Sequence, residues 1–210
     1  MRLAIIALAA CLGLAIAPAR AADLTVKLKS AAGQPIADAV VMVRPASGVP
    51  SGPIKFPWAL RMSQQDIEFH PFVLIVPVGA TVAFPNLDKV RHHVYSFSPT
   101  KKFELKLYGN DETRTVTFDK VGVVAVGCNI HDQMLAFIRV VDTPYAAKTD
   151  ANGVAVVHDL PAGAATATIW QPFLRAPKNE MTRPVTLTAA GASLALTAEI
   201  RPPAAKPMKM

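Results

Sequence analysis

Apolar and polar residues alternate along most of this chain, and almost no segment repeats with the period of a helix. Residues 24–29 show the alternation most clearly, which is typical of a strand with one buried face. The same criteria predict further strands at residues 39–43, 72–76, 81–84, 93–97, 103–107, 115–118, 121–126, 135–141, 154–157, 164–170, 184–188 and 193–200. Gly, Pro, Asn or Asp separates most of these segments. Many short strands at regular spacing predict an all-β sandwich or barrel.

The strands fall into three stretches of different character. Residues 45–57 hold four Pro, two Gly and two Ser, which is typical of a linker or loop between the first two stretches. In the first stretch, residues 33–41 (GQPIADAVV) resemble the opening of a carboxypeptidase-regulatory-like, or transthyretin-like, domain. In the last stretch, the turns at 149–153 (TDANG) and 159–163 (DLPAG) resemble the later turns of the same family.

This resemblance implies one β-sandwich built from two distant pieces of chain. Residues 22–50 and 143–201 are expected to form that small host sandwich, and residues 58–142 a second domain inserted into it, because insertion at a loop tip is tolerated. A separate third region of β-hairpins is the alternative. The tail at residues 202–210, rich in Pro, Ala, Lys and Met, is expected to be disordered.

The first residues have the pattern of an export signal. A positive start at Met1-Arg2 precedes an apolar run at residues 3–17, and small residues at Ala19 and Ala21 fit a signal peptidase site. Residues 1–21 are therefore predicted to be a signal peptide, and the mature protein is expected to be periplasmic. The apolar run is shorter than the roughly 20 residues that a spanning helix needs, so it is not expected to remain as a membrane anchor. A lipobox-like sequence ending at Cys11 offers a lipoprotein as the less favoured alternative.

The charge balance excludes some classes of partner. The chain has 22 Lys and Arg against 15 Asp and Glu, a formal net charge of +7. The basic residues are scattered, which argues against nucleic-acid binding. A modest positive field can speed encounter with an acidic partner, but a soluble surface with a general basic bias is the favoured interpretation.

Cysteine use directs attention to one segment. Cys11 would leave with the signal peptide, so Cys128 is a single thiol in a compartment that permits disulfides. It opens the motif Cys128-x-x-His131-x-x-Met134, and a second imidazole lies upstream at His92 or His93. Two His and one Cys thiolate, with a weak axial Met, form the blue-copper arrangement. Structural zinc sites have no use for Met, and a haem attachment needs two Cys before its His.

The copper motifs resemble a known family. Residues 86–94 and 128–134 look like the ligand segments of amicyanin- and plastocyanin-type cupredoxins, and longer stretches resemble proteins that bacterial genomes call methylamine utilization proteins. The resemblance covers about residues 60–142 and implies a Greek-key β-sandwich with one type 1 copper ion. It selects His92 as the upstream ligand, six residues after Asn86, beside Cys128, His131 and Met134. It also implies that His131, on the loop between two strands, is a partly exposed ligand, and that the partners are redox proteins that bind transiently.

A hydrogen bond to the ring nitrogen that does not bind the metal usually orients a metal-bound His. Asn86 or the backbone near Asn129 is a candidate for that role. The leading function is one-electron transport between periplasmic partners by a protein that is not an enzyme, with a monomer favoured. Copper storage or delivery with the same ligands is the alternative, and a structural module with a decayed site is a third.

Overall fold

The computed structural model describes residues 21–201. The predicted signal peptide up to residue 20, the lipobox alternative at Cys11 and the tail at residues 202–210 lie outside this range. The prediction of an all-β sandwich fold is confirmed, because the described residues form strands and a single 3₁₀ turn at Pro177–Asn179. No helix in residues 21–201 is long and apolar enough to cross a membrane.

The strands are β1 (Ala22–Ser30), β2 (Val40–Pro45), β3 (Ser63–Gln65), β4 (Glu68–His70), β5 (Val73–Pro77), β6 (Ala80–Pro85), β7 (His92–Ser98), β8 (Lys101–Tyr108), β9 (Thr113–Phe118), β10 (Gly122–Cys128), β11 (Leu135–Val141), β12 (Ala146–Lys148), β13 (Val154–Leu160), β14 (Gly163–Trp170), β15 (Glu180–Leu187) and β16 (Ala192–Ala198).

Strands from the two ends of the chain share sheets. One sheet has the order β13-β1-β16, and another has the order β12-β2-β14-β15. Leu24, Val26 and Leu28 alternate along β1 with exposed or half-buried residues, and they enter a core with Val41 and Val43 of β2. Strands separated by about a hundred residues in sequence thus bury one common core.

The middle of the chain forms a second sandwich. A five-stranded sheet in the order β5-β11-β10-β7-β8 packs against the pair β6-β9, and a small hairpin, β3-β4, lies beside them. The shared core contains Val124 and Val126 of β10, Ile138 of β11 and Phe84 of β6. Alternation along these strands places every second side chain in this core.

The two sandwiches contact each other through a third buried cluster. Its members come from both units: Val40, Met42, Ala146 and Trp170 from the outer one, and Val73, Ile75 and Val141 from the inner one. At its margin Arg139 of β11 donates to Glu180 of β15 over 2.8 Å, and its guanidinium lies 5.9 Å from the centre of the Trp170 ring. Arg139 and Val141, on the outward face of β11, therefore contact the outer sandwich.

Three strands were not predicted from the sequence, namely β3, β4 and β12, and each is only three residues long. Several predicted strands extend further than expected, and two of these extensions involve candidate ligands. β7 begins at His92, one residue before the predicted start, and β10 continues to Cys128, two residues past the predicted end. β10 reaches Cys128 because Cys128 pairs antiparallel with Val94 of β7. β7 begins at His92 because His92 pairs antiparallel with Tyr108 of β8.

Candidate metal centre

Neighbouring strands bring the predicted ligands to one end of the inner sandwich. His92 opens β7 and Cys128 closes β10, and these strands pair antiparallel with Cys128 opposite Val94. The loop between β10 and β11 carries His131 and Met134, and the Met134 N–H donates to the His131 carbonyl over 3.0 Å. The loop therefore turns back on itself above the end of β10.

Three donor atoms converge at this end. Sγ of Cys128 lies 3.8 Å from Nδ1 of His92 and 3.6 Å from Nδ1 of His131, and the two Nδ1 atoms are 3.2 Å apart. Among the described residues, these three form the single cluster of His, Cys or acidic side chains close enough to share an ion. Nitrogen and sulfur donors about 2.0–2.3 Å from a metal ion are themselves about 3–4 Å apart. The donor set and its spacing therefore fit one soft or borderline metal ion.

The fourth predicted ligand lies in the same buried core. Met134 is 2% exposed and belongs to the cluster of apolar side chains that also contains Cys128. A thioether is a soft donor suited to copper and has no place in structural zinc sites. The chemistry of the full set therefore fits copper better than zinc.

Asp88 orients the His92 ring. Its Oδ2 lies 2.8 Å from Nε2 of His92, so Nε2 carries the proton and donates it to the carboxylate. The Nδ1 atom of the neutral ring then keeps its lone pair for a metal. Asp88 is itself fixed, because its carboxylate accepts the backbone N–H groups of Asp66 at 2.7 Å and Ile67 at 3.0 Å.

The electrostatics of this pair favour the metal-binding form. Burial lowers the pKa of His92 below its usual value, although Asp88 acts in the opposite direction. Burial tends to raise the pKa of Asp88, but the hydrogen bonds from Ile67, His92 and Asp66 outweigh it, and the pKa lies below its usual value. His92 is therefore neutral and Asp88 ionised at neutral pH, as a metal-bound imidazole and its carboxylate partner require.

The two candidates suggested by the sequence for the orienting role do something else. The buried Asn86 side chain donates to the carbonyls of Val90 and Tyr108 and accepts the Asp88 N–H over 2.9 Å. The Asn129 N–H donates to the His93 carbonyl. Asn86 thus shapes the loop that carries Asp88, and the direct bond to His92 comes from Asp88.

The neighbouring imidazole points away from the cluster. Nε2 of His93 lies 2.8 Å from Oε1 of Glu104 on β8, and the ring is partly exposed. Successive residues of an extended strand face opposite sides, so His92 faces inward and His93 outward. The structure therefore places His92, and not His93, in the cluster.

Several apolar side chains are exposed at the surface near the cluster. His131 is half-buried, and its neighbour Ile130 is 50% exposed. Leu87 and Val90, on the loop before β7, are exposed as well, and so is Leu135 at the start of β11. All four lie on the segments that carry or flank the ligands. The same segments also expose Lys89, Arg91, Asp132 and Gln133, so the surface at this end of the sandwich is mixed apolar and polar.

Comparison with known proteins gives structural neighbours and no sequence family. No protein-family profile and no curated protein matches the chain. Solved structures that are similar include a purple cupredoxin from Nitrosopumilus maritimus, at 22% identity and a TM-score of 0.35, which covers 39% of this chain and 98% of that one. A copper-containing nitrite reductase from Thermus scotoductus has 26% identity and a TM-score of 0.38, over 56% of this chain and 28% of that one. A mutant of amicyanin has 21% identity and a TM-score of 0.37, over 50% and 99%. Because each TM-score is below 0.5, we base the site on the residues of this chain alone.

Proposed function

We propose that this chain is an exported copper protein that carries one electron at a time between periplasmic redox partners. Its single type 1 copper ion is held by His92, Cys128, His131 and Met134. The observation that carries the proposal is the convergence of the Cys128 sulfur and two imidazole Nδ1 atoms within 3.2–3.8 Å of one another. Four protein ligands, with Met134 as the fourth, would leave copper no open coordination position for a substrate, so we propose a carrier rather than an enzyme.

Copper in such a site supplies a one-electron couple between its two oxidation states. The Cys128 thiolate and the Met134 thioether favour the reduced ion, whereas the two imidazoles suit both states. The protein keeps these donors in place, because Cys128 and His92 lie at the ends of paired strands and both are buried. A cluster that is held in one arrangement needs little movement when an electron is gained or lost.

His131 and the exposed apolar side chains near it are proposed as the point of electron entry and exit. Ile130, Leu87 and Val90 are exposed near the segments that hold the metal ligands. Weak redox encounters bury small contact areas, below about 1,200 Å² in total. We propose a monomer that meets its partners transiently through this end.

The proposed arrangement of domains follows the sheet topology. We assign residues 22–50 and 143–201 to the outer, carboxypeptidase-regulatory-like sandwich and residues 58–142 to the inner, copper-binding sandwich. Residues 1–21 are proposed as the signal peptide that directs export. In support, β1 and β2 share their sheets only with strands that follow residue 145.

The test is spectroscopic. Mature protein loaded with Cu(II) should bind one ion per chain, show strong visible absorption from thiolate-to-copper charge transfer, and undergo reversible one-electron reduction. Cys128→Ser should abolish the absorption, while Ser96→Ala, elsewhere on β7, should keep it. Loaded protein that lacks the absorption and the reversible couple would refute the proposal. Transfer of copper, rather than of electrons, to an acceptor protein would instead support storage or delivery.

A further inference from the structure

A cavity lies along the free edge of β5, on the inner sandwich where it meets the outer one. β5 is the last strand of its sheet and pairs only with β11. The cavity beside it has a volume of about 540 Å³, and its lining includes Trp58, Arg61, His70 and Lys148. Sites for small molecules typically have volumes of about 300–1,000 Å³ and often lie where two domains meet. The cavity contains none of the proposed copper ligands.

Side chains cap the edge of β5. Nε1 of Trp58 donates to the Ile75 carbonyl over 2.9 Å, and Nζ of Lys148 donates to the Val73 carbonyl over 3.0 Å. An unpaired strand edge otherwise invites an added strand. Because these carbonyls already accept side-chain donors, an extended peptide that added to this edge would have to displace both of them. The cavity therefore suits a small molecule.

The aromatic part of the wall is held rigidly. The Trp58 ring is stacked on Phe56, with centroids 4.5 Å apart and planes 9° apart, and its N–H is fixed on Ile75. Pro71 adds a further apolar surface to the lining. A preformed flat wall binds an aromatic ring without first paying the entropy of ordering its side chains.

The charged part of the lining is cationic. Arg61 and Lys148 line the cavity, and no acidic side chain is among the described residues that do so. Lys148 is neutralised by Asp38 at 2.8 Å, whereas Arg61 forms no ion pair with any residue in the range 21–201. Arg binds carboxylates through two parallel hydrogen bonds, which makes it selective for a planar anion.

We propose that this cavity is a second binding site that takes a small aromatic carboxylate. The ring lies against the wall formed by Trp58 and Pro71, and the carboxylate pairs with the guanidinium of Arg61. Lys148 retains its hydrogen bond to the Val73 carbonyl and its ion pair with Asp38 when the ligand is bound. The site is independent of the copper cluster, and its test does not require the copper chemistry to be correct.

The probe for the test is 2-naphthoate, titrated into the mature full-length protein and followed by calorimetry and tryptophan fluorescence. Saturable binding with one site per chain is expected. The neutral analogue 2-naphthamide should bind at least about tenfold more weakly, because it lacks the charge that Arg61 recognises. Arg61→Gln should weaken naphthoate binding by a similar factor and leave naphthamide binding unchanged.

Matched variants separate a built site from general attraction. Lys27→Gln removes an exposed positive charge on β1, outside the cavity, and should leave naphthoate affinity within about twofold of the parent. Trp58→Phe should remove the fluorescence response and weaken the binding of both probes. Equal affinity for the acid and the amide, equal effects of Arg61→Gln and Lys27→Gln, or no saturable binding up to about 10 mM would each overturn the proposal. The comparison of 2-naphthoate with 2-naphthamide uses the unmutated protein, so it tests the proposal even where a variant folds poorly.

Discussion

The Nε2 atom of His92 lies 2.8 Å from the Oδ2 atom of Asp88, and this contact joins the metal cluster to the β3-β4 hairpin. Asp66 and Ile67 form the tip of that hairpin, with φ angles of 56° and 57°. Their N–H groups converge on the Asp88 carboxylate because both residues adopt this left-handed conformation. The direction of one proposed copper ligand therefore depends on a hairpin more than twenty residues earlier in the chain.

Asp88→Asn is expected to weaken copper binding by about 10–100-fold, the usual effect of losing a partner that orients a ligand. Asn is neutral and offers one acceptor oxygen in place of two, so it cannot accept hydrogen bonds of equal quality from His92 and from both hairpin N–H groups. Competition with a calibrated chelator measures the affinity. Glu104→Gln is the matched control, because Glu104 contacts His93 at the same distance of 2.8 Å. An equal loss in both variants would contradict the role of Asp88.

The choice between the adjacent imidazoles is tested directly by His92→Gln and His93→Gln. The first variant is expected to lose the visible thiolate-to-copper absorption, because the Nδ1 donor at the cluster is removed. The second is expected to keep it, because His93 faces Glu104 on the opposite side of β7. Melting curves of the metal-free proteins show whether each variant is folded. Retained absorption in His92→Gln would exclude it as a ligand.

The sequence predicted strands where alternation was clear, and the resemblance to cupredoxin ligand segments selected His92 over His93, six residues after Asn86. It did not predict the β3-β4 hairpin, because three-residue polar strands carry no readable period. The buried Gln64 on β3 is held in place by tertiary contacts, including the 2.6 Å bond that it accepts from the Tyr108 hydroxyl. The role of Asp88 was missed for a related reason. A spacing of four residues in a loop has no fixed geometry until the loop conformation is known.

The ion pair between the two sandwiches is expected to stabilise their contact. Arg139 and Glu180 have side chains 12% and 25% exposed, whereas Arg114 and Glu112 form a pair at the same distance of 2.8 Å with side chains 49% and 43% exposed. Double-mutant cycles with Arg139→Met and Glu180→Ala should give a coupling free energy of about 1–2 kcal/mol. The exposed pair should give about 0.5 kcal/mol or less. Urea unfolding of the metal-free protein measures both, and equal couplings would contradict this assignment.

Acid should weaken the turn that begins at Asp150. Its pKa lies below the ordinary value of 3.8 because its carboxylate accepts the Val154 N–H and also bonds to Asn152. A depressed pKa in the folded state means that the ionised group adds stability above the ordinary value, and that this contribution is lost as pH falls through the folded-state pKa. The stability difference between the parent and Asp150→Asn, a neutral mimic of the protonated group, should therefore be constant near neutral pH and shrink on acidification. A difference that does not change with pH would contradict this.

Gly153, in the same turn, should tolerate substitution far less well than Gly33, although both have similar φ angles of +72° and +78°. A Cβ on Gly153 would lie 2.3 Å from the Leu28 carbonyl oxygen, whereas a Cβ on Gly33 meets nothing within 4 Å. Gly33→Ala should therefore lose only about 1–2 kcal/mol for its left-handed backbone. Gly153→Ala should lose at least about 3 kcal/mol, because β1 must also move away from the turn. Urea unfolding of the two metal-free variants gives both values. Equal losses would mean that the turn moves away without strain, and that the packing of β1 against it is looser than these distances imply.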